Sequence, residues 1–316
     1  MQRVTIDDIR AAALRIAPIA QKTPLWTSRS YDARAGLQAV FKCENLQKGG
    51  AFKIRGAANF LYSIPVEDRP RGVVAFSSGN HAQAVAIAAR ALGMKATLVM
   101  PDDAPKSKLE ATRAQGATIV LYDRHKDSRE RIGRQISAET GATLVPPFDH
   151  PWIIAGAGTC ALELLEQAPD LDALVVCLGG GGLLAGCAIA AKALKPGIRV
   201  FGVEPEVAND YWLSLRQGEP VEIASPPTIA DGLRTTKPGA HNFPVIQELV
   251  EEVLLVSEAE IRETTKFLLS RTKLVVEPSG AVGAAAVLHG KLPAGCAKVG
   301  IVLSGGNVDL EVLASL

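Results

Sequence analysis

The chain has 316 residues, a length that suits two domains or one large one, and 47% of them are hydrophobic, enough to bury real cores. Lys and Arg total 34 against 33 Asp and Glu, a formal charge of +1. Neither nucleic acid nor an anionic membrane is expected as a partner, and any anion site must be local.

A first helix is expected near Ile6–Gln21, with Thr5 and Asp8 at capping-box-like spacing, although Asp is short for that role. Val73–Phe76 then reads as a strand before a helical stretch from His81 to Leu92. Ala96–Met100 precedes a helix over Lys106–Gln115, and Thr118–Tyr122 precedes a charged one over Asp127–Thr140. The residues Val145–Pro151, VPPFDHP, suit a crossing between domains. Ala173–Leu178 runs into Gly179–Gly182 and then a helix over Leu183–Leu194. Val200–Val203 follows, Ala224–Pro227 suits a loop, and Val299–Leu303 comes near the end. Strands alternating with helices predict an α/β fold of two doubly wound parallel-sheet domains. Three β/α units between about Gly72 and Leu144 suit a small mobile domain, placed at 66–148. Residues 1–65 and 149–316 would form a larger, cofactor-binding one.

The stretch nearest in composition to a membrane span, Ala173–Ala191, is uncharged but is broken by its glycines, so no membrane association is expected. The opening MQRVTIDDIR lacks the apolar core of a signal peptide. Five cysteines, Cys43, Cys160, Cys177, Cys187 and Cys296, form no C-x-x-C pair, and most sit in apolar runs. Buried free thiols and a reducing, cytoplasmic setting are expected.

The glycine run between an apolar strand and an apolar helix is the first chemical signal. Glycines there let backbone amides approach an anion, and a helix N-terminus favours negative charge. A phosphate site is one reading and a plain tight turn the other. A third possibility is specific: Gly180, Gly182 and Ala185 fit G-x-G-x-x-A, and Glu204 lies near the end of the next strand, where a ribose-binding acid would sit. From the loop alone, a nicotinamide-dependent oxidoreductase remains open.

Four segments, in order, carry a resemblance. They are KGGAFKIRGA over Lys48–Ala57, SSGNH over Ser77–His81, the Gly179–Gly182 run, and SGGN over Ser304–Asn307. They resemble the lysine motif, substrate loop, phosphate cradle and C-terminal motif of fold type II pyridoxal-phosphate enzymes, which share a tryptophan-synthase-β-like architecture. Within that family the chain is most similar to serine racemases and to threonine/serine dehydratases without a regulatory domain. Pro146–His150, Thr228–Gly232 and Glu277–Gly280 match as well. Ala82 stands where glycine is common after SSGNH, and the aromatic pair Tyr211-Trp212 is a departure that suits a pocket wall, an interface or core.

The resemblance implies roles for individual residues. Lys53 would carry pyridoxal 5'-phosphate, with Phe52 beside it, and would also remove the Cα proton once the substrate replaces it; burial would lower its pKa. Asn80 would bond the ring oxygen, Gly179, Gly180, Gly181 and Gly182 the phosphate, and Ser304 would face the pyridine nitrogen. Ser77, Ser78 and His81 would hold the substrate carboxylate, and Ser78 would serve as acid/base on the opposite face of Cα. Arg129, otherwise a solvated helix residue, matches an arginine that can approach a substrate's second carboxylate. Glu204, the Ala208 carbonyl and Asp210 resemble a structural Mg²⁺ or Ca²⁺ site. The implied activity is dehydration and deamination of L-threonine or L-serine, with serine racemisation and 3-hydroxyaspartate dehydration as alternatives, in a homodimer.

Overall fold

A computed structural model describes residues 3–77, 79–103, 106–123 and 126–316, with the backbone alone at 106–108 and 111. Helix α1 (Ile6–Ile16) starts on the expected capping box: the Asp8 amide donates to the Thr5 hydroxyl, and the Thr5 amide donates to the Asp8 carboxylate at 2.8 Å. Asp therefore reaches far enough. The helix stops at Ile16, short of Gln21, because Pro18 cannot continue it.

Strand β1 (Leu25–Trp26), helix α2 (Arg29–Ala35), strand β2 (Gln38–Cys43) and helix α3 (Lys53–Ser63) follow. The next units are β3 (Val73–Phe76), α4 (Asn80–Ala91), β4 (Ala96–Pro101), α5 (Lys106–Ala114), β5 (Thr118–Tyr122), α6 (Arg129–Thr140) and β6 (Thr143–Leu144). Then come α7 (Pro151–Gln167), β7 (Ala173–Cys177), α8 (Gly182–Leu194), β8 (Arg199–Pro205), α9 (Asp210–Gln217) and α10 (Asn242–Leu249). The chain closes with β9 (Glu252–Val256), α11 (Glu258–Phe267), α12 (Pro278–Leu288), β10 (Lys298–Leu303) and α13 (Leu310–Ser315).

The strands form two sheets, a larger one in the order β1-β2-β10-β7-β8-β9 and a smaller one in the order β5-β4-β3-β6. Among the described residues all strand pairings are parallel except β1 with β2. The small sheet lies wholly within 73–144, whereas the large one takes strands from both ends of the chain. Because parallel strands share one direction, the loops at their C-terminal ends collect on one side, where ligands of such folds bind.

The large core packs α7 against α8 with backbones in near contact. A Cβ on Gly158 would come within 2.7 Å of the Gly186 carbonyl, so neither position tolerates a side chain. A second feature was not legible in the sequence, a buried ion cluster beneath α3. Arg55 donates from Nε to Glu44 at 2.7 Å and from Nη1 to Glu163 at 2.8 Å and to Thr159 at 3.0 Å. Lys42 bonds Glu163 at 2.7 Å, Gln167 at 2.8 Å and the Thr23 carbonyl at 2.9 Å. Two cations face two carboxylates with their donors satisfied, the condition under which buried charge is tolerated. The cluster clamps α3, and with it Lys53, to β2 and α7.

Candidate active site

Lys53 is the first residue of α3, and its segment is fastened to the C-terminal motif. The Phe52 amide donates to the Ser304 carbonyl at 2.9 Å, the Gly306 amide to the Gly50 carbonyl at 2.8 Å, and Ala51 bridges Gly305. Two motifs some 250 residues apart thus form one backbone unit. Lys53 Nζ donates to the Pro147 carbonyl at 2.9 Å, in the segment predicted to cross between domains. Burial lowers its pKa to about 8, outweighing the opposing pull of nearby Cys177 and Glu277.

The substrate-loop motif lies between β3 and α4. Asn80 opens α4, its Nδ2 donating to Glu277 at 2.7 Å while its Oδ1 accepts from Asn307 at 2.9 Å. Asn307 also donates to the Gly49 carbonyl at 2.7 Å, so the lysine, substrate-loop and C-terminal motifs are cross-tied. Ser77 Oγ accepts from the Gly79 amide at 3.2 Å. Ser78 lies outside the described residues. His81 is buried, with Nε2 3.2 Å from the Val145 carbonyl. A carbonyl only accepts, so Nε2 carries the proton. Burial, followed by the Lys53 charge, drives the ring's pKa to about 3, so His81 is neutral. Its ring anchors this loop to the crossing segment. Arg129, the first residue of α6, sets its guanidinium carbon 5.9 Å from the Phe76 ring centre, one residue before Ser77. Its Nε bonds Glu130 at 3.2 Å, and it remains partly exposed.

Gly179–Gly182 joins β7 to α8. No acceptor among the described residues meets the amides of Gly179 through Leu184, although all six residues are buried. Six buried donors at a helix N-terminus suit an anion, as a phosphate requires. Gly181 has φ +93°, and a Cβ there would strike the Tyr211 hydroxyl; one on Gly180 would strike the Phe148 ring. Ser304, at the end of β10, is buried and adjoins Cys177, whose thiol burial pushes up to about 11.

Glu204, Ala208 and Asp210 also meet. Glu204 accepts the amides of Tyr211 at 3.1 Å and Trp212 at 2.9 Å. Both oxygens of buried Asp210 lack a donor among the described residues. Burial raises Asp210 to about 7, and burial plus the neighbouring Asp210 charge raises Glu204 well above the carboxylate range. Two buried acids, one of them with both oxygens orphaned, fit a divalent cation. Among the described residues, no cluster of three His, Cys, Asp or Glu side chains suits a metal, so a carbonyl such as that of Ala208 would have to contribute.

Several contributors carried no individual signal in the sequence. Glu277 and Asn307 lay inside matched motifs without a role of their own. Tyr211 is not a substrate-pocket wall but a support beneath the glycine loop, donating to the Gly180 carbonyl at 3.1 Å. Arg216 stacks on the neighbouring Trp212, its guanidinium carbon 3.9 Å from the ring centre. All five cysteines are free, four of them buried.

Residues 16–305 match the family described as pyridoxal-phosphate dependent enzyme. Over 316 residues, covering all of this chain and 99% of its relative, the sequence is 51% identical to an L-threo-3-hydroxyaspartate ammonia-lyase of a Pseudomonas species. It is 48% identical to a serine racemase of Schizosaccharomyces pombe, across 97% of this chain and 95% of that one. The structure of maize serine racemase superposes with a TM-score of 0.96 at 44% identity, covering 99% of this chain and 97% of that one. The nicotinamide alternative is thereby set aside, in keeping with Glu204 being occupied by the amides of α9.

Proposed function

The chain belongs to the family of pyridoxal-phosphate dependent enzymes, in its fold type II form, and from that premise we propose that it is an ammonia-lyase converting a small β-hydroxy amino acid to a 2-oxo acid and ammonia. The observation that carries this reading is the junction of Lys53, Asn80 and Ser304 in one cross-tied unit. When bound, pyridoxal phosphate supplies an aldehyde that condenses with amines and a ring that withdraws electrons.

The amides of Gly179–Leu184 would hold the phosphate, and Asn80 and Ser304 would fix the ring at its oxygen and nitrogen. Lys53 Nζ, with its lowered pKa, takes the proton from the substrate Cα. Ser77 and the start of α4 orient the carboxylate. A neutral His81 adds no charge there; it keeps the loop in place. Ser304 offers a hydroxyl where a carboxylate would hold a proton on the ring nitrogen. Negative charge at Cα is then best relieved by expelling the β-hydroxyl, which favours elimination.

L-Serine and L-threonine are the proposed substrates. A second reading, 3-hydroxyaspartate, is favoured by Arg129 beside the substrate loop and by the relative from Pseudomonas. Racemisation as a side activity rests on Ser78 as the second acid/base. Mg²⁺ or Ca²⁺ at Glu204, Ala208 and Asp210 would steady the start of α9 without touching substrate. A homodimer in the cytoplasm completes the proposal, the setting supported by the unpaired thiols.

The test is direct. The purified protein should be yellow, bleach with borohydride, and release 2-oxo acid and ammonia from at least one of L-serine, L-threonine and L-threo-3-hydroxyaspartate. Lys53→Ala should lose colour and turnover together. Turnover retained in that variant would remove Lys53 from the reaction, and a cofactor-loaded wild type inert on all three would refute the substrate class.

A further inference from the structure

Beneath the glycine loop lies a pair of side chains to which neither the family resemblance nor the motifs give a role. The Gly180 carbonyl accepts from the Tyr211 hydroxyl at 3.1 Å and from Asn242 Nδ2 at 2.7 Å. Asn242 Nδ2 also faces the Phe148 carbonyl at 3.4 Å, which fixes the sense of its amide, since two carbonyls require the NH₂ end. Both side chains are fully buried. Tyr211 is itself held: its hydroxyl accepts from the Gly239 amide at 3.2 Å, and its own amide donates to Glu204 at 3.1 Å.

The geometry has a covalent consequence. The peptide joining Gly180 to Gly181 is trans, so its C=O and N–H point in opposite directions. Two donors on the oxygen therefore turn the Gly181 N–H away from Tyr211 and Asn242, to the side where no acceptor among the described residues meets it. Glycine on both sides of this peptide makes such a plane free to rotate unless something holds it. The φ of +93° at Gly181 leaves no room for a Cβ against the Tyr211 hydroxyl, so the side chain and the bare backbone require each other.

We propose that Tyr211 and Asn242 are positioning residues that lock the Gly180–Gly181 peptide with its N–H turned toward the cofactor phosphate. This rests on the cofactor-binding reading of the loop. Neither residue touches the cofactor; each acts through the carbonyl it holds. Donation into that carbonyl also polarises the peptide, which strengthens its N–H as a donor to an anion.

The experiment compares two ligands on the apoenzyme: pyridoxal 5'-phosphate, and pyridoxal, which has the same ring and aldehyde without the phosphate. Dissociation constants come from absorbance titration. In Tyr211→Phe the constant for the phosphorylated ligand should rise about tenfold, the size of one hydrogen bond to a charged group, while that for pyridoxal changes less than twofold. Asn242→Ala, which removes the second donor, should shift the same ratio in the same direction, and it tests the point if Tyr211→Phe does not accumulate as folded protein. Equal loss for both ligands, or no loss, would overturn the proposal, because a general structural role does not distinguish them. The two failures are separable: a wild type without preference for the phosphorylated ligand would refute the phosphate cradle itself.

Discussion

The lowered pKa of Lys53 has a kinetic signature in the apoenzyme. An amine must be unprotonated to attack an aldehyde. At pH 7 a group with a pKa of about 8 is roughly one-tenth free base, whereas an ordinary lysine near 10.4 is about one part in 2,500. Lys53 should therefore capture pyridoxal phosphate about two hundredfold faster than an unperturbed lysine of equal access. Burial penalises the charged form, so the pKa falls and free base appears at lower pH. The rate of cofactor capture, followed by stopped-flow absorbance, should rise about tenfold per pH unit up to pH 7.5, bend near 8, and level off above 9. Glu277 opposes the shift, so Glu277→Gln should move the bend to lower pH. A rate that keeps climbing tenfold per unit to pH 10 would show an ordinary, hydrated amine and refute the burial argument.

Four further outcomes are expected. Glu44→Ala leaves Arg55 buried with one of its two carboxylates and should cost about 3–5 kcal/mol in urea unfolding, a loss under about 1 kcal/mol being inconsistent with a closed ion cluster. His81 has a folded-state pKa of about 3, below its unfolded value near 6.5, so its contribution is complete above pH 6.5 and is lost as pH falls toward 3. Against His81→Gln, the wild type's relative stability should thus drop by up to about 1.4 kcal/mol per unit between pH 6 and 4, and parallel profiles would show a ring that titrates normally. Arg129→Gln should raise KM for L-threo-3-hydroxyaspartate about tenfold more than KM for L-serine, and equal effects would remove Arg129 from recognition of the second carboxylate. Mg²⁺ at a hundred times its dissociation constant should stabilise the wild type by about 2.7 kcal/mol and leave Asp210→Ala unchanged, whereas an equal response in both would place any cation elsewhere.

Legibility in the sequence followed the range of the physics. The β/α alternation is a local pattern, and it located the strands from Val73 to Tyr122, and β7, β8 and β10, to within about two residues, but it missed β9. Helix α7 was not named, because its apolar residues run all round it and show no solvent face. The motifs were legible because glycine runs and a lysine in an apolar setting are locally unusual. What joins them was not. Tyr211 reads as half of an aromatic pair after Asp210, and only the fold brings it under Gly180. Lys42, Glu44, Arg55 and Glu163 have the composition of surface residues; their burial follows from pairing across segments that no local pattern relates.

The position of β10 in the large sheet bears on how the chain is made. The strand pairs with β2 through Gln38↔Lys298 and with β7 through Ala173↔Val299, so it is the bridge between the two halves of that sheet. It is also the last of this sheet's strands to be synthesised, roughly 260 residues after β2. The strands of the small sheet emerge together and can pair while translation continues. Until β10 leaves the ribosome, β2 and β7 each keep one apolar edge unpaired, the kind of edge that invites aggregation. The same late strand ends at Ser304. Synthesis therefore completes the cofactor site and removes the exposed edges in one step, and a chain cut short before Lys298 lacks both.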